Sequence, residues 1–238
     1  MIVDERMITF INSLDHGHTP FLEKLREEAV RDNVPIIRRE MQSFLKVFLQ
    51  IQRPQRILEV GTAVGFSAIL MAAYGPKSCR ITTIENYEKR IPIARENFEK
   101  SGYNDRITLL KGDAADVLKT LAEPFDFIFM DAAKGQYIHF LPEVLRLMHP
   151  GSVLISDNVL QEGDIIESHY IVERRNRTIY KRMREYLRTL KDDRRLETSI
   201  VPLGDGISIS VMKQPDVNES GFPVMKQPDV NESGFPDM

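Results

Sequence analysis

Apolar positions recur with two different periods along the chain, and the switch from one to the other divides it. Up to about residue 52 the period is helical. Asp4 to Leu14, Pro20 to Asp32 and Ile36 to Gln50 carry apolar residues three and four apart, and Thr19-Pro20 supplies the second segment with an N-cap and a proline at its first helical position. In the third, Ile37, Met41, Phe44, Leu45 and Phe48 form one stripe. From Arg56 onward, short apolar runs alternate with helical stretches: RILEV then SAILMAAY, RITTI then EKRIPIARENFEK, RITLLK then AADVLKTL, FDFIFM then YIHFLPEVLRLM, and finally SVLIS. Such runs suit a parallel sheet, whose strands are buried on both sides by helices. A further helix is predicted over Glu173 to Leu190, and LETSIVPL and ISISVM flank Gly204-Asp205-Gly206 as an antiparallel hairpin. The expected fold is a doubly wound α/β domain over residues 1–213. It has a mostly parallel seven-stranded sheet, a C-terminal hairpin, and residues 1–52 as a helical cap.

Composition narrows the class. A chain of 238 residues with 42% apolar and 28% charged positions can bury a sizeable core, which excludes a disulfide-stapled scaffold or a fibrous repeat. Cys79 is the single cysteine, and no Cys/His cluster has zinc spacing. Acids near the first Met, and no apolar run approaching ~18 residues, point to a cytoplasmic protein without a membrane segment. Val211 to Pro223 reads VMKQPDVNESGFP, and Val224 to Pro236 repeats it letter for letter. Residues 214–238 are polar and proline-bearing, so they are expected to form a disordered tail, the repeat being a recent duplication or an artefact. The formal net charge of -3 gives no basic field. However, the tail holds Asp216, Glu219, Asp229, Glu232 and Asp237 against Lys226, and removing its -4 leaves residues 1–213 at +1.

Two groups of residues carry candidate chemistry. Glu59-Val60-Gly61-Thr62-Ala63-Val64-Gly65-Phe66-Ser67 joins the first strand to a helix, where glycines let the backbone turn close to a ligand. The loop lacks the central glycine of a dinucleotide fingerprint, which disfavours a nicotinamide-dependent oxidoreductase. Glu85 ends the second strand, the usual place for an acid that binds ribose hydroxyls, so a nucleoside without a diphosphate is the expected ligand. The second group is Asp131 after the fourth strand and Asp157-Asn158 after the fifth. Ligands of open parallel sheets bind outside the carboxyl ends of strands, and two carboxylates with an amide oxygen suit Mg²⁺ or Ca²⁺. Strand-end capping is the alternative role of such residues.

Glu59-x-Gly61-x-x-x-Gly65, Glu85 and Gly112-Asp113 resemble the S-adenosylmethionine site of class I methyltransferases, whose fold is Rossmann-like. The resemblance implies that Asp113 approaches the adenine amino group, that Ala114 offers a backbone amide, and that Gly61 and Ser67 lie along the methionine part. Around Ile37 the chain is similar to the stretch that closes over the cofactor. Asp131-x-x-Lys134 with Asp157-Asn158 resembles the cation-dependent O-methyltransferases of the catechol and caffeoyl-coenzyme A type, over nearly all of residues 1–213. More narrowly, DAAKGQY at 131–137, SDNVL at 156–160 and PLGDGIS at 202–208 are similar to the bacterial branch that methylates 5-hydroxyuridine in the tRNA anticodon loop. The resemblance implies Mg²⁺ on Asp131, Asp157 and Asn158, catalysis by Asp131 and Lys134, and a homodimer. Lys134 would stabilise the acceptor oxyanion or take its proton.

Between Glu173 and Arg195 stand ten basic and four acidic residues, with Ile179, Met183, Tyr186, Leu187 and Leu190 at helical spacing. One face should dock on the sheet and the other project positive charge, through which Arg174, Arg175 and Arg177 would contact RNA phosphates. A non-catalytic RNA-binding module is the reading that the carboxylate set argues against. His16 and His18 are expected to be solvated, His139 to pack in its helix, and Tyr137 to be a buried aromatic.

Overall fold

A computed structural model of the protein describes residues 3–167, 173 and 176–215. Three helices come first: α1 (Glu5–Ser13), α2 (Pro20–Arg31) and α3 (Arg39–Gln52). Then β1 (Arg56–Val60), α4 (Phe66–Tyr74), β2 (Arg80–Glu85), α5 (Ile91–Ser101), β3 (Ile107–Lys111), α6 (Ala114–Thr120) and β4 (Phe125–Met130) alternate. A 3-10 turn (Lys134–Gln136) leads into α7 (Tyr137–Arg146), and β5 (Met148–Ser156), α8 (Arg177–Asp192), β6 (Leu196–Val201) and β7 (Ile207–Met212) complete the fold. The seven strands run in the order β3-β2-β1-β4-β5-β7-β6, parallel through β5 and antiparallel at β7 and β6. This is the Rossmann-like arrangement anticipated from the alternating runs.

Strand alternation sends side chains to two cores. Ile57, Phe127, Phe129, Val153 and Ile155 pack beneath α2, α3, α4 and α5, whereas Leu58, Val60, Ile128, Met130 and Leu154 pack beneath α6, α7 and α8. On α8, Met183, Tyr186, Leu187 and Leu190 of the expected stripe are buried, while Ile179 is only half-buried and Tyr180 takes its place in the core. Each such side chain contributes about 1.5–3 kcal/mol through the surface it withdraws from water.

Local differences from the sequence pattern have identifiable causes. The third helix begins at Arg39 rather than Ile36, because residues 35–38 stay outside it, with Arg38 extended: Ile37 packs with 4% exposure, and the Arg38 guanidinium lies 2.8 Å from Asp205 Oδ1. β6 ends at Val201, short of Leu203, since Pro202 has no N–H to donate; Leu203 N donates to Val201 O and Gly206 N to Leu203 O. Gly206 sits at φ +83°, and a Cβ there would strike the Leu160 side chain. Arg174, Arg175 and residues 216–238, where most of the disordered tail is expected, lie outside the described residues.

Candidate active site

Chain order reverses between β1 and β4, and a cavity of about 850 Å³ opens there at the carboxyl ends of the strands. A glycine-governed approach forms one side of it. Gly61, at φ +95°, lies so near the backbone of Asp131 that a Cβ would collide with the Asp131 carbonyl oxygen. The loop after β1 is thereby pressed against the end of β4. On the opposite side, Pro35, Ile36 and Ile37 line the cavity from the approach to α3.

At one end stand Glu85 and Asp113. Glu85 accepts from Ala63 N at 2.8 Å, Asn86 N at 3.0 Å and Tyr87 N at 2.8 Å, which leaves about one of its four acceptor positions for a ligand. Asp113 caps α6 by accepting from Ala115 N at 2.8 Å and is exposed at the cavity wall, with Ala114 beside it. Gly61 and Ser67 line the middle. Glu59 does not line it: alternation along β1 turns its side chain to the face of Ile57, where it is fully buried. Thr83 Oγ1 donates to its Oε2, while Oε1 has no hydrogen bond of good geometry although Thr62 and Ser67 lie beside it. Burial pushes its pKa from 4.5 up to about 7, against the opposing pull of the Ser67, Thr62 and Thr83 hydroxyls.

The other end gathers Asp131, Lys134 and Asn158 on the wall, with Asp157 just behind, 5% exposed. Asp157 N donates to Met130 O at 3.0 Å, and Asp131 N to Val60 O at 3.0 Å, so ladder-like bonds carry both carboxylates past the strand ends. Asn158 follows in the left-handed region, φ +59°, which asparagine tolerates, and Nδ2 reaches Asp131 Oδ1 at 3.4 Å. Burial raises the pKa of both Asp131 and Asp157, and the charge of Asp131 adds to the rise at Asp157. A half-buried carboxylate, Asp131, and a buried one, Asp157, that repel one another suit a hard cation, and the amide can turn its oxygen to the same space. Among the described residues, no group of three or more His, Cys, Asp or Glu side chains could hold a metal ion.

The sequence profile of O-methyltransferases matches residues 12–213. The chain belongs to the O-methyltransferase family. A catechol O-methyltransferase of Niastella koreensis is 35% identical over 130 residues, covering 53% of this chain and 59% of that relative, so the match spans a little over half of its length. The O-methyltransferase of Bacillus cereus, solved in complex with SAH, is 29% identical, with a TM-score of 0.77 over 86% of this chain and 96% of that one. An SAH-bound methyltransferase of Podospora anserina is 27% identical, with a TM-score of 0.80 over 88% and 95%.

Several interactions around the cavity escape sequence reading. Gln42, 2% exposed, donates from Nε2 to Ile37 O at 2.7 Å, and its Oε1 lies 2.8 Å from His18 Nε2. His18 Nδ1 is 3.2 Å from the Tyr74 hydroxyl, so His18 is part of a polar network rather than solvated, while His16 and His139 are exposed. The available signal was a glutamine beside Met41 on the apolar side of its helix. On α8, Arg182 donates to Gly135 O at 3.1 Å and Arg184 to Ile165 O at 3.0 Å. Both turn inward and brace loops. Lys181 and Arg188 are exposed, and Arg177 is half-buried, so the projecting charge of the described helix is thinner than its composition suggests. Among the described residues, no helix is long and apolar enough to cross a membrane.

Proposed function

We propose that the protein transfers a methyl group from S-adenosylmethionine to a hydroxyl oxygen, and that the acceptor is the 5-hydroxyl of 5-hydroxyuridine in the tRNA anticodon loop, yielding 5-methoxyuridine. The observation that carries the methyl-transfer reading is the single cavity with nucleoside-type acids, Glu85 and Asp113, at one end and the Asp131, Asp157, Asn158 and Lys134 set at the other. In this reading Glu85 receives the ribose hydroxyls and Asp113 the adenine amino group. Ala114 contributes its backbone amide, Gly61 and Ser67 flank the methionine part with Glu59 behind them, and Ile37 covers the ligand. Asp131, Asp157 and Asn158 hold a divalent cation, Mg²⁺ in the first instance, which supplies Lewis acidity that lowers the acceptor hydroxyl's pKa. Lys134 stabilises the developing oxyanion or accepts its proton, and the cavity walls align the hydroxyl for in-line attack.

The tRNA acceptor rests on the sequence resemblance and on the basic character of α8, which begins at Arg177, together with Arg174 and Arg175 shortly before it in the sequence. A small catechol-like acceptor is the second reading, favoured by relatives named catechol O-methyltransferase. Labelled S-adenosylmethionine, Mg²⁺ and bulk tRNA from cells lacking 5-methoxyuridine should give labelled 5-methoxyuridine on nucleoside digestion. Label on a catechol but on no tRNA nucleoside would sink the tRNA acceptor, and tight NAD binding without S-adenosylmethionine binding would sink methyl transfer. Reversing the charges of Arg174, Arg175 and Arg177 should abolish tRNA methylation and spare a catechol. A homodimer belongs to the same proposal; the exposed Met7, Phe10 and Ile11 of α1, with Leu14 just after it, are apolar surface available to it.

A further inference from the structure

Tyr137 lies outside the cavity wall, fully buried, yet its hydroxyl is 3.1 Å from Met130 O and 3.1 Å from Asp157 O. Met130 is the last residue of β4 and precedes Asp131; Asp157 is the first residue after β5. The phenol has one proton, so it donates to one carbonyl at a time or to both in a three-centre bond. Either way it ties the ends of the two strands together where their ladder stops, at Met130 opposite Ser156. Its ring is held in turn: Tyr186 packs edge-on with centroids 5.5 Å apart, and the Tyr186 hydroxyl lies 2.6 Å from Ser156 Oγ. The 3-10 turn after Asp131 reverses the chain, which is why a residue six positions beyond that aspartate returns beneath it.

We propose that Tyr137 is a positioning residue that fixes the separation of the Asp131 and Asp157 carboxylates and thereby sets the size of divalent cation the site accepts. The inference rests on the cation-holding role assigned to these carboxylates above. Mg²⁺ demands near-octahedral ligands at about 2.0–2.1 Å, whereas Ca²⁺ tolerates irregular ligands at about 2.3–2.6 Å. A brace on the backbone of both ligand-bearing residues therefore matters more to the smaller ion. Loss of groups that orient metal ligands typically costs about 10- to 100-fold in affinity.

The test is calorimetric titration of the full chain with MgCl₂ alone and CaCl₂ alone, alongside thermal midpoints in chelator. Tyr137→Phe should weaken Mg²⁺ by about 10-fold or more and Ca²⁺ by less than about 3-fold. Tyr186→Phe, which removes the neighbouring hydroxyl, should leave the Mg²⁺/Ca²⁺ ratio unchanged. A merely structural tyrosine would lower the thermal midpoint and both affinities in proportion, and that unchanged ratio in Tyr137→Phe overturns the brace. If Tyr137→Phe does not fold, fluorotyrosine placed at 137 keeps the ring and makes a stronger donor; it should raise the ratio, and no change overturns the proposal. Wild-type protein binding neither ion, or Asp157→Ala binding both as well as wild type, overturns the cation site itself together with the brace.

Discussion

Glu59 combines an ionisable carboxyl with complete burial, and its position on β1 fixes the consequence. Below its ordinary pKa of 4.5 the carboxyl is protonated in both folded and unfolded chains. Between 4.5 and about 7 the unfolded chain releases the proton while the folded one retains it, so stability falls as pH rises through this window and then levels off. Glu59→Gln should remove that component: in calorimetric unfolding of the ligand-free protein, the variant should gain on wild type by up to about 3 kcal/mol between pH 4.5 and pH 8. A pH-independent difference between the two would refute the assignment. Gly61 makes a second residue-scale prediction. Its positive φ and its contact with the Asp131 carbonyl leave no room for a methyl group, so Gly61→Ala should cost about 1–3 kcal/mol and weaken S-adenosylmethionine binding. Unaltered affinity in the variant would mean that the loop after β1 does not shape the cavity.

At the scale of elements, the non-helical stretch 35–38 and the helix after it act together. The glutamine at the start of α3 reaches back to Ile37 O, and because its amide nitrogen is used there, its oxygen accepts from His18 Nε2–H and leaves His18 Nδ1 to accept from Tyr74. Arg38 adds the ion pair to Asp205 in the β6–β7 turn, so the stretch over the cavity is latched on both sides. Gln42→Leu would strand a buried carbonyl and a ring nitrogen, at about 1–3 kcal/mol. Steady-state kinetics should show the KM for S-adenosylmethionine rising several-fold with kcat changed less than about two-fold. Unchanged KM beside a lowered melting temperature would reduce Gln42 to a packing role. Helix α8 shows how composition misleads at this scale. Ten basic residues near it suggested a projecting field, yet Arg182 and Arg184 spend their guanidinium groups on the carbonyls of Gly135 and Ile165.

For the whole molecule, β7 is bonded on both sides, to β5 and to β6, and ends at Met212. Removal of residues 216–238 should leave the melting temperature and the turnover of a small acceptor within error of the full chain; a drop of several degrees would give the repeat a structural role. Fold class, strand order of appearance, the glycine loop and the carboxylate motifs were all legible in the sequence, since strand alternation, helical stripes and Asp-x-x-Lys or Asp-Asn at strand ends are local patterns. Local pattern also revealed that the acidity of the chain resides in its last residues. Only the tertiary structure decided what depends on non-local neighbours. Glu59 stands behind the cavity wall because β1 turns it toward α4, the stretch at Ile37 stays out of the helix because Arg38 and Gln42 hold it, and Tyr137 meets two strand ends because the chain folds back beneath them. Periodicity records which side chains are buried; the partner of a buried polar group is set by segments distant in sequence, and no period encodes it.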